Sequence, residues 1–182
     1  QSTTKNKVRA ACFVYNPQGE LVGRYDKIHL FDAAIADEQG QYQESATFEA
    51  GDEIVVIRTP FANIGLSICY DLRFPALFQA LREQEADIIV VPAAFTALTG
   101  EAHWQVLLRA RAIENQCMII GAGQTGCHSQ QRQTWGHSQI IDAWGKVLAL
   151  QAQGESVVIA DYDLQQMTKI RQQMTILRHR RL

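Results

Sequence analysis

The chain has 182 residues, 47% apolar and 20% charged, with a formal net charge of −2, the composition of an ordinary globular domain long enough to bury a core. So small a charge excess argues against electrostatic capture of nucleic acid or an anionic membrane, and the basic run Arg178-His179-Arg180-Arg181 comes without interleaved aromatics. No apolar run approaches the ~18 residues of a membrane helix, and four cysteines without paired spacing, at 12, 69, 117 and 127, read as free thiols of a reducing, cytoplasmic compartment.

Residues 8–15 (VRAACFVY) read as a strand, Asn16-Pro17-Gln18-Gly19 as a turn and residues 20–26 as the return strand of a hairpin. The polar residues 1–7 carry no initiator methionine and run straight into that strand, so the chain is expected to begin inside a larger protein. From 27 to 52 no period persists, and a long ordered loop is expected, of the kind that usually carries function. Two strands follow, 53–59 and 63–69, around a Pro60-Phe61 turn. Pro75 suits the first turn of a helix over 76–84, with Leu77, Phe78 and Leu81 inward.

Residues 87–92 (DIIVVP) read as a short strand buried on both faces. Residues 102–116 read as a helix with Val106, Leu107, Ala110 and Ile113 as its apolar stripe, and 117–121 as the next buried strand. Strands are expected near 137–142, 146–150 and 156–161, and a last amphipathic helix over 164–173. Strands with helices between and after them make a single α/β layered domain over 1–182.

Two motifs lead nowhere on physical grounds. Residues 121–126 (GAGQTG) fit G-x-G-x-x-G, with Asp142 about 20 residues on, but the stretch after them has no apolar stripe on which a phosphate-binding helix could pack. Close packing at a strand end is the better reading of those glycines. Cys127, His128 and His137 lack metal-ligand spacing, and adjacent Cys127 and His128 would have difficulty serving one tetrahedral centre.

The strand IGLSIC ends at Cys69 and breaks toward a helix, a position where the helix dipole and free N–H groups favour a thiolate and an oxyanion. Taken alone, Cys69 reads equally well as a nucleophile or as a small buried apolar residue. No histidine is paired with it by spacing; His29 and His103 read more readily as structural. Lys27 closes a strand-like segment ahead of an apolar run. It is either a solvated strand end or a partly buried cation for an oxyanion, with Glu44 in the following loop able to pair with it.

Together YDKIHLFD (25–32), Gln43-Glu44-Ser45, CYDLRFP (69–75), His103-Trp104, RARAIEN (109–115) and Gly136-His137-Ser138 resemble the carbon-nitrogen hydrolase, or nitrilase, superfamily. Their order and spacing agree over nearly the whole chain, and within the superfamily the blocks are most similar to the amidases of deaminated glutathione and then to the omega-amidases. The resemblance implies a four-layer α-β-β-α sandwich, a homodimer or higher oligomer, and a Glu-Lys-Cys triad without metal or organic cofactor. Carried over, Cys69 is the nucleophile, Lys27 the cation for the tetrahedral intermediate, the Tyr70 backbone N–H a second oxyanion donor, and Glu44 the glutamate that positions the lysine. Arg73, Phe95 and His103 are the expected substrate contacts, and the substrate a small ω-amide of a dicarboxylic acid.

The superfamily's general-base glutamate precedes the first hairpin, in a segment outside these residues, so about a third of the fold is expected to be missing from the chain. That motivates a rival expectation, an inactive homologue with a structural or interaction role whose incomplete sandwich exposes apolar surface. Ala76 replaces the glutamate that the resemblance leads one to expect after Phe74-Pro75, and Thr175 a C-terminal proline.

Overall fold

In the computed structural model, which describes residues 6–181, the chain opens with the expected hairpin, β1 (Ala11–Tyr15) antiparallel to β2 (Leu21–Asp26). The Asn16 side-chain oxygen accepts from the N–H groups of Gln18 and Glu20, and Gly19 takes φ +80° to close the turn. The stretch 27–52, expected as a loop, contains the hairpin β3 (Asp32–Ala34) and β4 (Gln41–Gln43) and a 3₁₀ turn, Glu44–Ala46. Three-residue strands are too short for a two-residue alternation to appear in sequence.

Six of the remaining strands form one sheet. Here β5 (Val56–Arg58) and β6 (Asn63–Leu66) are followed by β7 (Ile88–Ala93) and β8 (Met118–Gly123); a separate hairpin, β9 (Thr125–Cys127) and β10 (Gln133–Trp135), precedes β11 (Ser138–Ile141) and β12 (Val147–Gln151). The sheet order is β12-β11-β8-β7-β6-β5, with β6, β7 and β8 parallel and the outer pairings antiparallel. Parallel neighbours need crossovers. These are α1 (Pro75–Glu83) and the helical stretch α2 (Ala97–Thr99), a π-turn (Gly100–Trp104) and α3 (Gln105–Asn115).

As expected for β7, both faces of the sheet are covered. Ile89, Val91, Ile119 and Ile141 meet Leu77, Phe78 and Leu81 of α1 and Leu108 and Ala112 of α3 in the main core, each large side chain contributing roughly 1.5–3 kcal/mol. The alternate residues Ile88, Met118 and Ile140 point to the opposite face, under Val158, Ala160 and Tyr162. The C-terminal helices are α4 (Leu164–Gln173) and α5 (Ile176–His179). Arg171 of α4 pins it beneath the starts of β7 and β8, pairing with Asp87 and donating to the carbonyls of Ala86 and Gln116.

The α/β class is as expected. Of the four layers of the sandwich, the chain supplies a helical layer and one large sheet, while β1 to β4 pair as two-stranded ribbons. Two expectations are corrected. Residues 156–161 are extended but form no ladder; Val158 and Ala160 pack inward while Val157 and Ile159 stand 81% and 83% exposed, because no strand among the described residues runs beside them. In α3 the inward residues are Leu108, Arg111, Ala112 and Asn115, and the expected Val106 and Ile113 are exposed. Arg111 is inward because both guanidinium donors Nε and Nη2 reach the Leu72 carbonyl, at 3.0 and 2.8 Å, an arrangement invisible to hydropathy.

Two glycines of the dinucleotide fingerprint, Gly121 and Gly123, serve packing, and the third, Gly126, takes φ +114° with open space around it. A Cβ on Gly121 would strike Leu108 and Trp104, and one on Gly123 the carbonyl of Gly136. The β9–β10 hairpin, with no helix, follows them. Nearby, His128 Nε2 contacts the Thr134 hydroxyl and His137 stacks on Trp135.

Candidate active site

The parallel strands β6, β7 and β8 bring their C-terminal ends to one edge, the usual ligand position in an open α/β sheet. Beyond β6 the chain enters a 3₁₀ turn, Cys69–Arg73, and Cys69 itself takes φ +50°, a left-handed conformation that costs a non-glycine residue about 1–2 kcal/mol. Ala93 ends β7 with Ala94 just beyond it, and beyond β8 lies Gln124. These residues, with Lys27, Phe31, Gln39, Tyr42, Glu44, Phe48 and Arg132, line a cleft of about 620 Å³ that reaches Cys69.

Lys27 follows β2 directly. Its backbone is fixed on both sides, the N–H donating to the Ala10 carbonyl and the C=O accepting from Gly51. The residue is only 3% exposed, and its Nζ donates to Glu44 Oε2 at 2.5 Å. The same carboxylate oxygen accepts from the Phe31 N–H at 2.6 Å. Glu44, opening its own 3₁₀ turn, supplies the carboxylate partner that so enclosed a lysine needs.

Burial pushes the Cys69 thiol above the usual thiol range. Against that, the Lys27 ammonium and a hydrogen bond from the Ala94 backbone N–H favour the thiolate, while the carboxylates of Glu44 and Asp71 oppose it. Cys69 therefore rests as a thiol at neutral pH and needs a base to attack. The Tyr70 N–H lies in the first turn of the 3₁₀ segment, where no intrahelical acceptor is available.

Of the expected substrate contacts, Arg73 and Phe95 line a second, narrow cavity of about 20 Å³ with Cys69, Tyr70, Thr96 and Thr99. Arg73 lies over the rings of Tyr70 and Phe95, at 5.8 and 5.1 Å. His103 does not line either cavity at Cys69; in the π-turn it sits 3.1 Å from Arg73 and acts on the site only through it.

Sequence reasoning missed the groups that hold the turn in place. Asp71 is fully buried and accepts from Tyr25, His29 and Ile68. Arg111, over the ring of Phe78 at 5.3 Å, clamps Leu72 of the same turn onto α3. The available signal was a charged residue with apolar neighbours on both sides, Tyr70 and Leu72 around Asp71 and Ala110 and Ala112 around Arg111, which must find partners if buried.

A thiol at the strand ends of an α/β sheet, with an enclosed lysine and its carboxylate partner lining the same cleft from the ribbons, has the groups that nucleophilic acyl transfer needs. The pattern of the carbon-nitrogen hydrolase family matches residues 1–172, and the chain belongs to that family. It is 50% identical over 174 residues to the deaminated glutathione amidase of Yersinia enterocolitica, covering 96% of this chain and 61% of that protein. It is 38% identical over 175 residues to the human omega-amidase NIT2, covering 96% and 63%. In structure it is similar to the NitFhit protein of C. elegans, with a TM-score of 0.90, 40% identity and coverage of 97% of this chain and 43% of that one. The chain thus spans about three fifths of the length of these curated relatives.

Proposed function

We propose that this chain forms the nucleophile-bearing part of a thiol amidase that releases ammonia from a small ω-amide through a Cys69 thioester. The observation that carries this is the enclosed Lys27–Glu44 pair opening into the same cleft as Cys69. Cys69 Sγ attacks the amide carbonyl carbon as a base removes its proton. The oxygen becomes an oxyanion held by the Lys27 ammonium and the Tyr70 N–H; the C–N bond then breaks as the proton passes to nitrogen, and ammonia leaves. Water attacks the thioester by the same route in reverse roles, the sulfur taking back its proton and the carboxylic acid leaving. In this reading the base is the family's general-base glutamate, expected ahead of the first hairpin.

The proposed substrates, deaminated glutathione first and an ω-amide of a keto acid second, share a carboxylate remote from the amide. Arg132 suits it: it lines the cleft, and among the described residues its guanidinium has no ion-pair partner, whereas Lys27 is already neutralised by Glu44. Exposed Val106, Ile113 and Trp144 support a homodimer, and four free cysteines support a reducing, cytoplasmic setting. Intact-mass measurement of the full-length protein during turnover of a dicarboxylic ω-amide tests the central claim. An acyl adduct on the wild type that is missing from Cys69→Ala is the expected result, and ammonia release by Cys69→Ala overturns it.

A further inference from the structure

The catalytic groups come from two bodies of the fold. Lys27 and Glu44 belong to the ribbons of residues 6–52, and Cys69 to the sheet-and-helix body of residues 53–181. Ring contacts join the two, His29 on Phe74 and Phe31 on Tyr70, but rings slide. Directional polar links are scarcer. Among the described residues, leaving Glu49 aside, every hydrogen bond between the two bodies ends on one carboxylate, that of Asp71.

The bonds divide evenly between its two oxygens. Oδ2 accepts from the Tyr25 hydroxyl at 2.7 Å and from the Ile68 N–H at 2.8 Å. Oδ1 accepts from the His29 N–H at 3.1 Å and from His29 Nδ1 at 2.7 Å, which fixes the proton on that nitrogen because a carboxylate only accepts. The Tyr25 oxygen in turn receives the Ile28 N–H at 3.3 Å. Asp71 thus grips residues 25, 28 and 29 on either side of Lys27, while Ile68, in its own body, immediately precedes the strained Cys69.

We propose that Asp71 is a positioning residue whose buried carboxylate locks the Lys27 segment and the Cys69 turn in one register, so that the ammonium is presented to the carbonyl oxygen of a substrate attacked by sulfur. This rests on the roles proposed above for Cys69 and Lys27. A neutral isostere cannot replace it. The Tyr25 hydroxyl and the His29 ring can each reverse their donor role, but the backbone N–H groups of Ile68 and His29 cannot, and they address different oxygens. Whichever way an asparagine turns, its NH₂ meets one of them, so either the His29 N–H on the Lys27 segment or the Ile68 N–H beside Cys69 loses its acceptor.

Alkylation of Cys69 by iodoacetamide across a pH series, on the full-length protein with the Cys69→Ala rate subtracted, separates register from charge. The charged or titratable groups facing the sulfur are Lys27, Glu44, Asp71 and Arg73, and loss of Asp71's charge alone would move the profile to lower pH. Loss of register withdraws Lys27 and moves it to higher pH. We expect Asp71→Asn to shift the profile upward by about one unit, a roughly ten-fold slower reaction at neutral pH, and to lower kcat with little change in KM. In the Lys27→Met background the upward shift should vanish. Tyr25→Phe, which removes a single donor, should show a smaller shift of the same sign and decides the matter if Asp71→Asn lacks a cooperative unfolding transition. If Lys27→Met raises the profile while the folded Asp71 and Tyr25 variants leave it unmoved or lower it, Asp71 is structural only and the proposal is wrong. If Lys27→Met itself leaves the profile in place, the assigned role of Lys27 fails, and the positioning role with it.

Discussion

The floor and the rim of the cleft are built differently. On the floor, Lys27 is buried and bonded to Glu44, whose carboxylate also takes the Phe31 N–H, and a half-buried Cys69 accepts from the Ala94 N–H. On the rim, Gln39, Gln124 and Arg132 project from short hairpin ends and turns into solvent. Enclosure on the floor makes charge effective, because few water molecules compete for it. Exposure on the rim makes a contact weak and replaceable. Chemistry is therefore expected to depend steeply on the floor, and choice of acyl tail shallowly on the rim.

The steepest test is the sulfur. Cys69→Ala should reduce ammonia release from an ω-amide to the uncatalysed background while leaving the fold intact, since alanine fills most of the same space. Circular dichroism and a steady-state assay of the full-length protein together check this. Activity within ten-fold of the wild type would place the nucleophile elsewhere.

Next is Lys27→Met, which keeps the stem and deletes the charge. Loss of one preorganised oxyanion donor is expected to cost about 10²–10³ in kcat, with KM changing much less. The sign of the pH effect follows from the environment of the sulfur. Burial already places the thiol above its usual range and the Lys27 ammonium offsets part of that, so Lys27→Met should move alkylation of Cys69 to still higher pH. A change confined to KM would make Lys27 a binding residue instead. Glu44→Gln should act less strongly in the same direction, about ten-fold in kcat. The amide oxygen can still accept from both Lys27 Nζ and the Phe31 N–H, which share one acceptor, but it no longer compensates the buried charge.

The contrast between floor and rim also explains what could be read from the sequence. The apolar run leading to Cys69, which holds β6 and three residues beyond it, and that of β7 announce themselves because burial leaves few polar positions. The cation of Lys27 and its partnership with Glu44 were legible only as one of two readings, between which family resemblance chose, since a lysine at a strand end has no local signature of burial. Asp71 and Arg111 were legible only as charged letters in apolar surroundings. Their partners are 46 and 39 residues away, Tyr25 and Leu72, and no local pattern records such distances. Residues 156–161 show the converse. Their alternation is that of a strand, and Val158 and Ala160 do pack on the sheet, but a strand is defined by its neighbour, and local pattern cannot supply one.

The smallest expected effect lies at the rim and is the most informative about substrate. Arg132 sits between β9 and β10, and its charge is close enough to Tyr42 to favour the ionised phenol, against the burial and the Asp37 carboxylate that push that hydroxyl up to about 12. It therefore acts at the mouth of the cleft, on the β4 side. Arg132→Ala should raise KM for an ω-amide bearing a remote carboxylate by about five-fold, ~1 kcal/mol for a solvent-screened contact, and leave kcat unchanged. The penalty should fade as ionic strength rises. For the matching amide with its carboxylate esterified, the same variant should behave like the wild type. An equal loss on both substrates would mean that Arg132 shapes the hairpin and reads no charge, and the anionic acyl tail would then have to be recognised from the Arg73 side of the cleft.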